Sequence, residues 1–144
     1  MIKVISFGKI KEKYLEELID DYQKRITKYH KIEIYTLKED TPLKEVEAIN
    51  KIIKPNDYII SLAIEGNSIS SVDFAHKLED IFNHYSSITF IIGESNGLPE
   101  IIKNNSNYLL SFSKMTFPHY LFQGMLLEQI YRAFKIINNE TYHK

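Results

Sequence analysis

Along SFSKMTFPH (111–119), the hydroxyls of Ser111, Ser113 and Thr116 alternate with the large apolar side chains of Phe112, Met115 and Phe117. Hydroxyls so spaced can bond a small ligand or their own backbone, and the apolar groups between them form a lining. A loop this apolar is poorly tolerated on an open surface, so it belongs against a ligand or another subunit. Pro118 fixes the turn into the segment that follows. A second loop, GESNG (93–97), is bracketed by Gly93 and Gly97. Such glycines either let the backbone approach a ligand closely or simply make the turn. The loop contains neither GxGxxG nor GK[ST], so it matches no dinucleotide or P-loop fingerprint. A third stretch, LAIEG (62–66), reads alone as a strand end with Gly66 as a turn residue. The chain finishes in TYHK. There Tyr142 can stack on a base, His143 can handle a proton or a phosphate, and Lys144 can meet a phosphate, although a frayed tail is as good a reading. His30, His76 and His84 lack metal-ligand spacing and cysteine is absent, so no metal and no disulfide is expected.

The elements that must hold these loops follow from periodicity. IKVISF (2–7) reads as a buried strand ended by Gly8. Residues 12–30 carry Tyr14, Leu15, Leu18, Ile19, Tyr22 and Ile26 at helical spacing. IEIYTL (32–37) alternates as a strand, and Thr41-Pro42 then starts a helix over about 43–53 that stops before Pro55. Residues 57–66 and 87–93 are strands apolar enough to be covered on both faces. A helix over 72–85, capped by Ser70 or Ser71, lies between them. A short helix near 99–104, a strand over 108–113 and a helix over 119–138 complete the chain. Strands alternating with helices predict one α/β domain spanning 1–144, with a mostly parallel sheet and helices on both faces. In such sheets ligands bind outside the carboxyl ends of the strands, where the GESNG and SFSKMTFPH loops fall. The last helix is apolar nearly all round, from Leu121 to Ile137, more than one sheet face requires. A second copy of the chain is the expected cover, giving a homodimer.

Length and charge bound the rest. A chain of 144 residues can bury a core without staples. No apolar stretch approaches the roughly 20 residues needed to cross a bilayer, and the amino terminus lacks a signal-peptide pattern. A soluble, cytoplasmic protein with no membrane partner is expected. The net charge of −1 speaks against indiscriminate nucleic-acid binding. Residues 1–31 and 103–144 each carry +3 while 32–102 carries −7, a polarity compatible with one RNA-facing surface but small enough to arise by chance.

The order and spacing of IIGESNGLPE, LSFSKMTFPH, LLEQIYRAFKI and the terminal YHK resemble the SPOUT (α/β-knot) RNA methyltransferases, and within them the RlmH type, over essentially the whole chain. The resemblance implies a C-terminal trefoil knot, a homodimer with pockets at the subunit interface, and S-adenosyl-L-methionine held bent between three loops. It implies cofactor contacts from Leu62, Gly93, Phe112, Ser113, Lys114, Met115, Thr116 and Phe117, and an RNA-facing tail of Tyr142, His143 and Lys144. The implied acceptor is N3 of a pseudouridine in 23S rRNA within assembled ribosomes. The family motif names no base, and His119 or His143 is the candidate to take the imide proton. Three positions depart from the family: Glu94 replaces a second Gly, Gln123 an Arg, and Asn138-Asn139 an Arg-Gly. The rival readings are a knotted methyltransferase acting on another RNA such as tRNA, a non-catalytic knotted dimer binding RNA or ribosome, and a flavodoxin-like nucleotide module.

Overall fold

The computed structural model describes residues 1–94 and 96–144; position 95, in the GESNG loop, lies outside the described residues. The strands are β1 (Ile2–Phe7), β2 (Ile32–Leu37), β3 (Asp57–Asn67), β4 (Ser87–Ile91) and β5 (Tyr108–Leu110). The helices are α1 (Lys13–Thr27), α2 (Pro42–Ile52), α3 (Ser71–His84), α4 (Glu100–Asn104) and α5 (His119–Ile137). Every strand pairing is parallel, and the sheet order is β2-β1-β4-β3-β5. After β1 the chain steps outward to β2, and after β4 it steps the opposite way past β3 to β5. A crevice therefore opens at the carboxyl ends of β1 and β4.

Side-chain parity decides which helix lies where. Successive strand residues point to opposite faces. Ile2, Val4, Ile88 and Phe90 join a core with Ile19 and Ile26 of α1, Phe74 and Leu78 of α3, and Leu126 and Ile130 of α5. Ile5, Phe7 and Ile91 join a second core with Ile49 of α2, Ile102 of α4 and Leu98. Both faces are covered, as the continuous apolar strands predict. Thr41 caps α2 through Lys44 N–H, and Ser70 caps α3 through Asp73 N–H at 3.0 Å.

Two expectations are corrected. The strand predicted over 108–113 ends at Leu110: Ser111 N–H still bonds Asn67 O of β3, and the Ser111 hydroxyl then bonds Ser113 O, curling the chain out of the ladder. The apolar surface of α5 is largely covered by its own chain: α1 and α3 flank it on the sheet, and Leu126, Leu127, Ile130 and Ala133 are fully buried. What α5 leaves uncovered is local. Met125 is 36% exposed, and on α1, which packs against α5, Leu18 is 41% and Tyr14 67% exposed.

At the amino end of the sheet Lys3 of β1 and Asp57 of β3 form a buried ion pair, Nζ to Oδ2 at 2.8 Å. Asp57 Oδ2 also accepts from Lys54 N–H at 3.0 Å and the Thr89 hydroxyl at 3.1 Å. Burial pushes the Asp57 carboxyl up, but these donors outweigh it and hold it below the ordinary carboxylate range. Its stabilising contribution is therefore complete above that range and is lost only as pH falls through the lowered value. Removing one partner strands a buried charge, so Lys3→Met is expected to cost about 3–5 kcal/mol in urea unfolding, with most of it regained in Lys3→Met/Asp57→Leu.

Candidate active site

Three loops leave the carboxyl ends of β3, β4 and β5 and enclose a cavity of about 820 Å³. That is within the range of small-molecule sites. The first loop exists because β3 slips out of register with β5 between Leu62 and Asn67, which turns Ala63, Ile64 and Glu65 into the lining. Gly66 is what allows the slip: a Cβ there would stand 2.8 Å from the Leu109 carbonyl carbon and oxygen. It is a close-approach glycine and not the turn residue its sequence context suggests. The second loop turns at Gly97, which has φ +82°, and closes with Gly97 N–H on Glu94 O at 2.8 Å. Gly93 packs against that turn, and a Cβ there would meet Gly97 C at 2.7 Å and Leu98 N at 2.8 Å. The third loop is shaped by its own hydroxyls, since Ser111 donates to Ser113 O and Ser113 Oγ accepts from Met115 N–H, both at 3.0 Å. Neither hydroxyl caps α5, whose first turn follows Pro118.

The structure brings Leu62, Gly93, Phe112, Ser113, Met115, Thr116, Phe117 and His119 to this one cavity. Lys114, in the middle of the third loop, is exposed and outside the lining. Sequence reasoning missed Phe122, which stacks on Phe112 (centroids 6.1 Å apart) and meets Phe117 edge-on at 5.9 Å. Its signal was present: Phe122 lies one helical turn beyond Pro118, on the face of α5 nearest the loop. Lys103 was missed too. It reaches the lining from α4 and pairs with Glu65 at 2.9 Å, which raises the lysine and lowers the carboxyl. Glu94 behaves oppositely: burial first, then Glu45 and Glu39, push its carboxyl up.

A second cleft, of about 1090 Å³, lies at the carboxyl ends of β1 and β2 and shares Ile92, Gly93 and His119 with the first. His119 thus stands where the two meet, with its Nε2 4.0 Å from Glu39 Oε1. Gln123, on the wall of the second cleft, is buried and accepts from the Ser6 hydroxyl at 3.1 Å. The departure at that position is therefore absorbed by a neutral hydrogen bond to β1. Asn139 has φ 55°, the left-handed conformation that follows a helix end and that Asn tolerates in place of Gly.

The tail is ordered away from both cavities. The Tyr142 ring meets Tyr131 edge-on at 4.9 Å and its hydroxyl donates to Glu128 Oε1 at 3.0 Å. Arg132 binds the same Glu128 at 2.6 Å and lies 3.0 Å from His143 Nδ1. The structure therefore separates the two histidines considered for proton handling: within one chain only His119 reaches the cavity. Among the described residues no group of three or more His, Asp or Glu is placed to hold a metal ion.

Glycine at 93 is a backbone requirement, and a comparison of two glycines tests it. Gly93→Ala sets a methyl against backbone that cannot yield, so it is expected to cost about 1–3 kcal/mol in chemical denaturation. In Gly124→Ala only the flexible Leu18 Cδ2 stands in the way, at 2.8 Å. Helix propensity there offsets the crowding by about 0.5–1 kcal/mol, leaving that variant near neutral.

The family described as "Predicted SPOUT methyltransferase" matches residues 1–143. Proteins named "Ribosomal RNA large subunit methyltransferase H" are similar throughout. The one from Clostridium botulinum strain Kyoto is 48% identical and the one from Clostridium tetani 45% identical, each over 99% of this chain and 99% of its own length. Among solved structures, one described as "a probable methylase family protein" from Haemophilus influenzae aligns with TM-score 0.60 at 12% identity, covering 99% of this chain and 70% of that one. The SpoU methyltransferase AviRb from Streptomyces viridochromogenes, solved in complex with the cofactor AdoMet, aligns with TM-score 0.51 at 13% identity, over 90% of this chain and 56% of that one. These distant likenesses bear on the fold alone, and the fold agrees. With the family match spanning the chain and full-length relatives at nearly half identity, this chain belongs to the SPOUT methyltransferase family.

Proposed function

We propose that this protein transfers a methyl group from S-adenosyl-L-methionine to large-subunit ribosomal RNA, at N3 of a pseudouridine in 23S rRNA presented by the assembled ribosome. The observation that carries the reading is the convergence of three strand-end loops on one apolar cavity, in a chain nearly half identical to relatives named for that RNA. The lining suits the cofactor. Leu62, Phe112, Phe117 and Phe122 offer apolar walls to a heterocycle, and Gly93, packed on the Gly97–Leu98 backbone, brings the second loop to the same lining. Bound there, S-adenosyl-L-methionine supplies a methyl group already made electrophilic by its sulfonium, so the protein's task is alignment and proton removal.

The remaining chemistry falls to side chains at the junction. The imide N3–H is weakly acidic, and its proton must leave as the methyl arrives. His119, open to both cavities, accepts it at Nε2, and Glu39 beside it steadies the imidazolium that results. An acceptor base that is looped out of the RNA reaches this junction without melting a duplex. Tyr142, His143 and Lys144 lie on a separate face, where they meet RNA flanking the target. In this reading the C-terminal half is threaded as a trefoil knot. Support comes from β4 entering between β1 and β3 before the chain passes β3 to reach β5.

The protein works as a homodimer in the cytoplasm. The exposed apolar side chains Tyr14 and Leu18 of α1 and Met125 of α5 are what a second copy covers. Leu18→Asp is expected to give monomers in sedimentation velocity, with the far-ultraviolet spectrum unchanged.

Labelled-methyl transfer tests the activity directly, using ribosomes lacking the modification alongside free ribosomal RNA and tRNA. Label confined to ribosomes and mapped to a pseudouridine is expected. Label on tRNA would favour another RNA substrate. Cofactor binding without transfer to any RNA would favour a binding role. His119→Asn is expected to lower the single-turnover rate about 100-fold or more while cofactor affinity stays within about twofold.

A further inference from the structure

We propose that Glu94 makes the cavity select the positively charged methyl donor over its neutral thioether product, S-adenosylhomocysteine. The proposal rests on the cavity's holding that cofactor. It starts from the charges that line the site. Among the described lining residues the ionisable side chains are Glu65, Glu94, Lys103 and His119. Lys103 is already held by Glu65 at 2.9 Å, so that pair is neutral. His119 lies 4.0 Å from Glu39, to which it is an ion-pair partner only when protonated. None of the ion pairs among the described residues includes Glu94. Glu94 therefore lines the cavity without a cation among the described residues.

Its neighbours supply none. Glu45 of α2, 3% exposed, accepts from Asp40 N–H, and Glu39 follows β2. Burial, the negative charge of Glu45 and Glu39, and a hydrogen bond shared with the Glu45 carboxyl together raise the Glu94 carboxyl above the ordinary range. A cation entering the cavity relieves this repulsion. The donor and the product share an ammonium and a carboxylate, and differ in the transferred methyl group and the positive charge it places on sulfur. A fixed negative charge in a site of low polarity acts on that difference over several ångströms. Where the family usually has Gly, this chain therefore has a means of releasing product.

Calorimetric titration of the purified protein with each of the two ligands tests this. Glu94→Gln is expected to weaken S-adenosylmethionine about tenfold and to leave S-adenosylhomocysteine within about twofold. Glu94→Asp keeps the charge and is expected to keep most of the selectivity, which separates charge from damage to the loop. In the unmodified protein the preference for S-adenosylmethionine strengthens as pH rises through the Glu94 titration, because only the ionised carboxyl attracts the sulfonium. In Glu94→Gln that rise is lost, leaving only what Glu39, Glu45, Glu65, Lys103 and His119 contribute. Equal weakening of both ligands, or no change in either, overturns the proposal. Binding of neither ligand by the unmodified protein overturns the cofactor reading itself, and this proposal with it.

Discussion

The molecule depends on one constraint, the insertion of β4 between β1 and β3. Ile88, Thr89, Phe90 and Ile91 are buried, with parallel ladders on both sides. A parallel strand in that position cannot be reached by a tight turn, so a helix must precede it and another connection must follow. Because the chain arrives from β3 and departs past β3 to β5, the loop leaving β4 has to cross the carboxyl ends of its neighbours. Ile92 and Gly93, the first residues beyond the strand, consequently border both clefts. The position of the site thus follows from strand order, before any side chain in it is considered.

The two ends of the sheet treat charge differently. At the amino end Lys3 and Asp57 are sealed in, and Asp57 meets three donors. A buried ion pair contributes little net stability, but with its partners satisfied it tolerates no alternative register for β1, β3 and β4. At the carboxyl end irregular backbone replaces the ladder, side chains open onto a cavity, and carboxylates sit close together without matching cations. Groups left in that condition are held by the fold and not by each other, which is the ordinary state of a site built to receive something.

Much of this was legible in advance, because alternation and helical spacing report burial directly. The six apolar-rich residues of β1, the Thr41 and Ser70 caps and the two-sided covering of the sheet all come from local pattern. Two of the site loops were legible as strand ends bearing glycine or hydroxyls, and the third, LAIEG, only through the family resemblance. What escaped depends on non-local geometry. Gly66 looks like a turn residue until β5 is laid against it. Phe112 looks like the continuation of a strand until the Ser111 hydroxyl turns to Ser113 O. The apolar girth of α5 suggested an intermolecular interface, yet α1 and α3, distant in sequence, cover most of it. Lys103 joined the site only through the bulge that points Glu65 towards it. Tyr142 offered a free ring on paper, and the fold gives that ring to Tyr131 and Arg132.

The departures from the family pattern also differ in kind once they are placed in the fold. Asn139 takes up a left-handed conformation that suits Gly, so its change is conformational and small. Gln123 is buried and finds Ser6, so a lost charge is replaced by a hydrogen bond facing the second cleft. Glu94 has no such compensation. Its carboxyl is crowded by Glu45 and Glu39, and no cation among the described residues answers it. A substitution that adds charge to a cavity and leaves it unneutralised costs stability when the cavity is empty. It is tolerable where the occupant carries the opposite charge, and S-adenosyl-L-methionine carries it at the sulfur that gives up the methyl group.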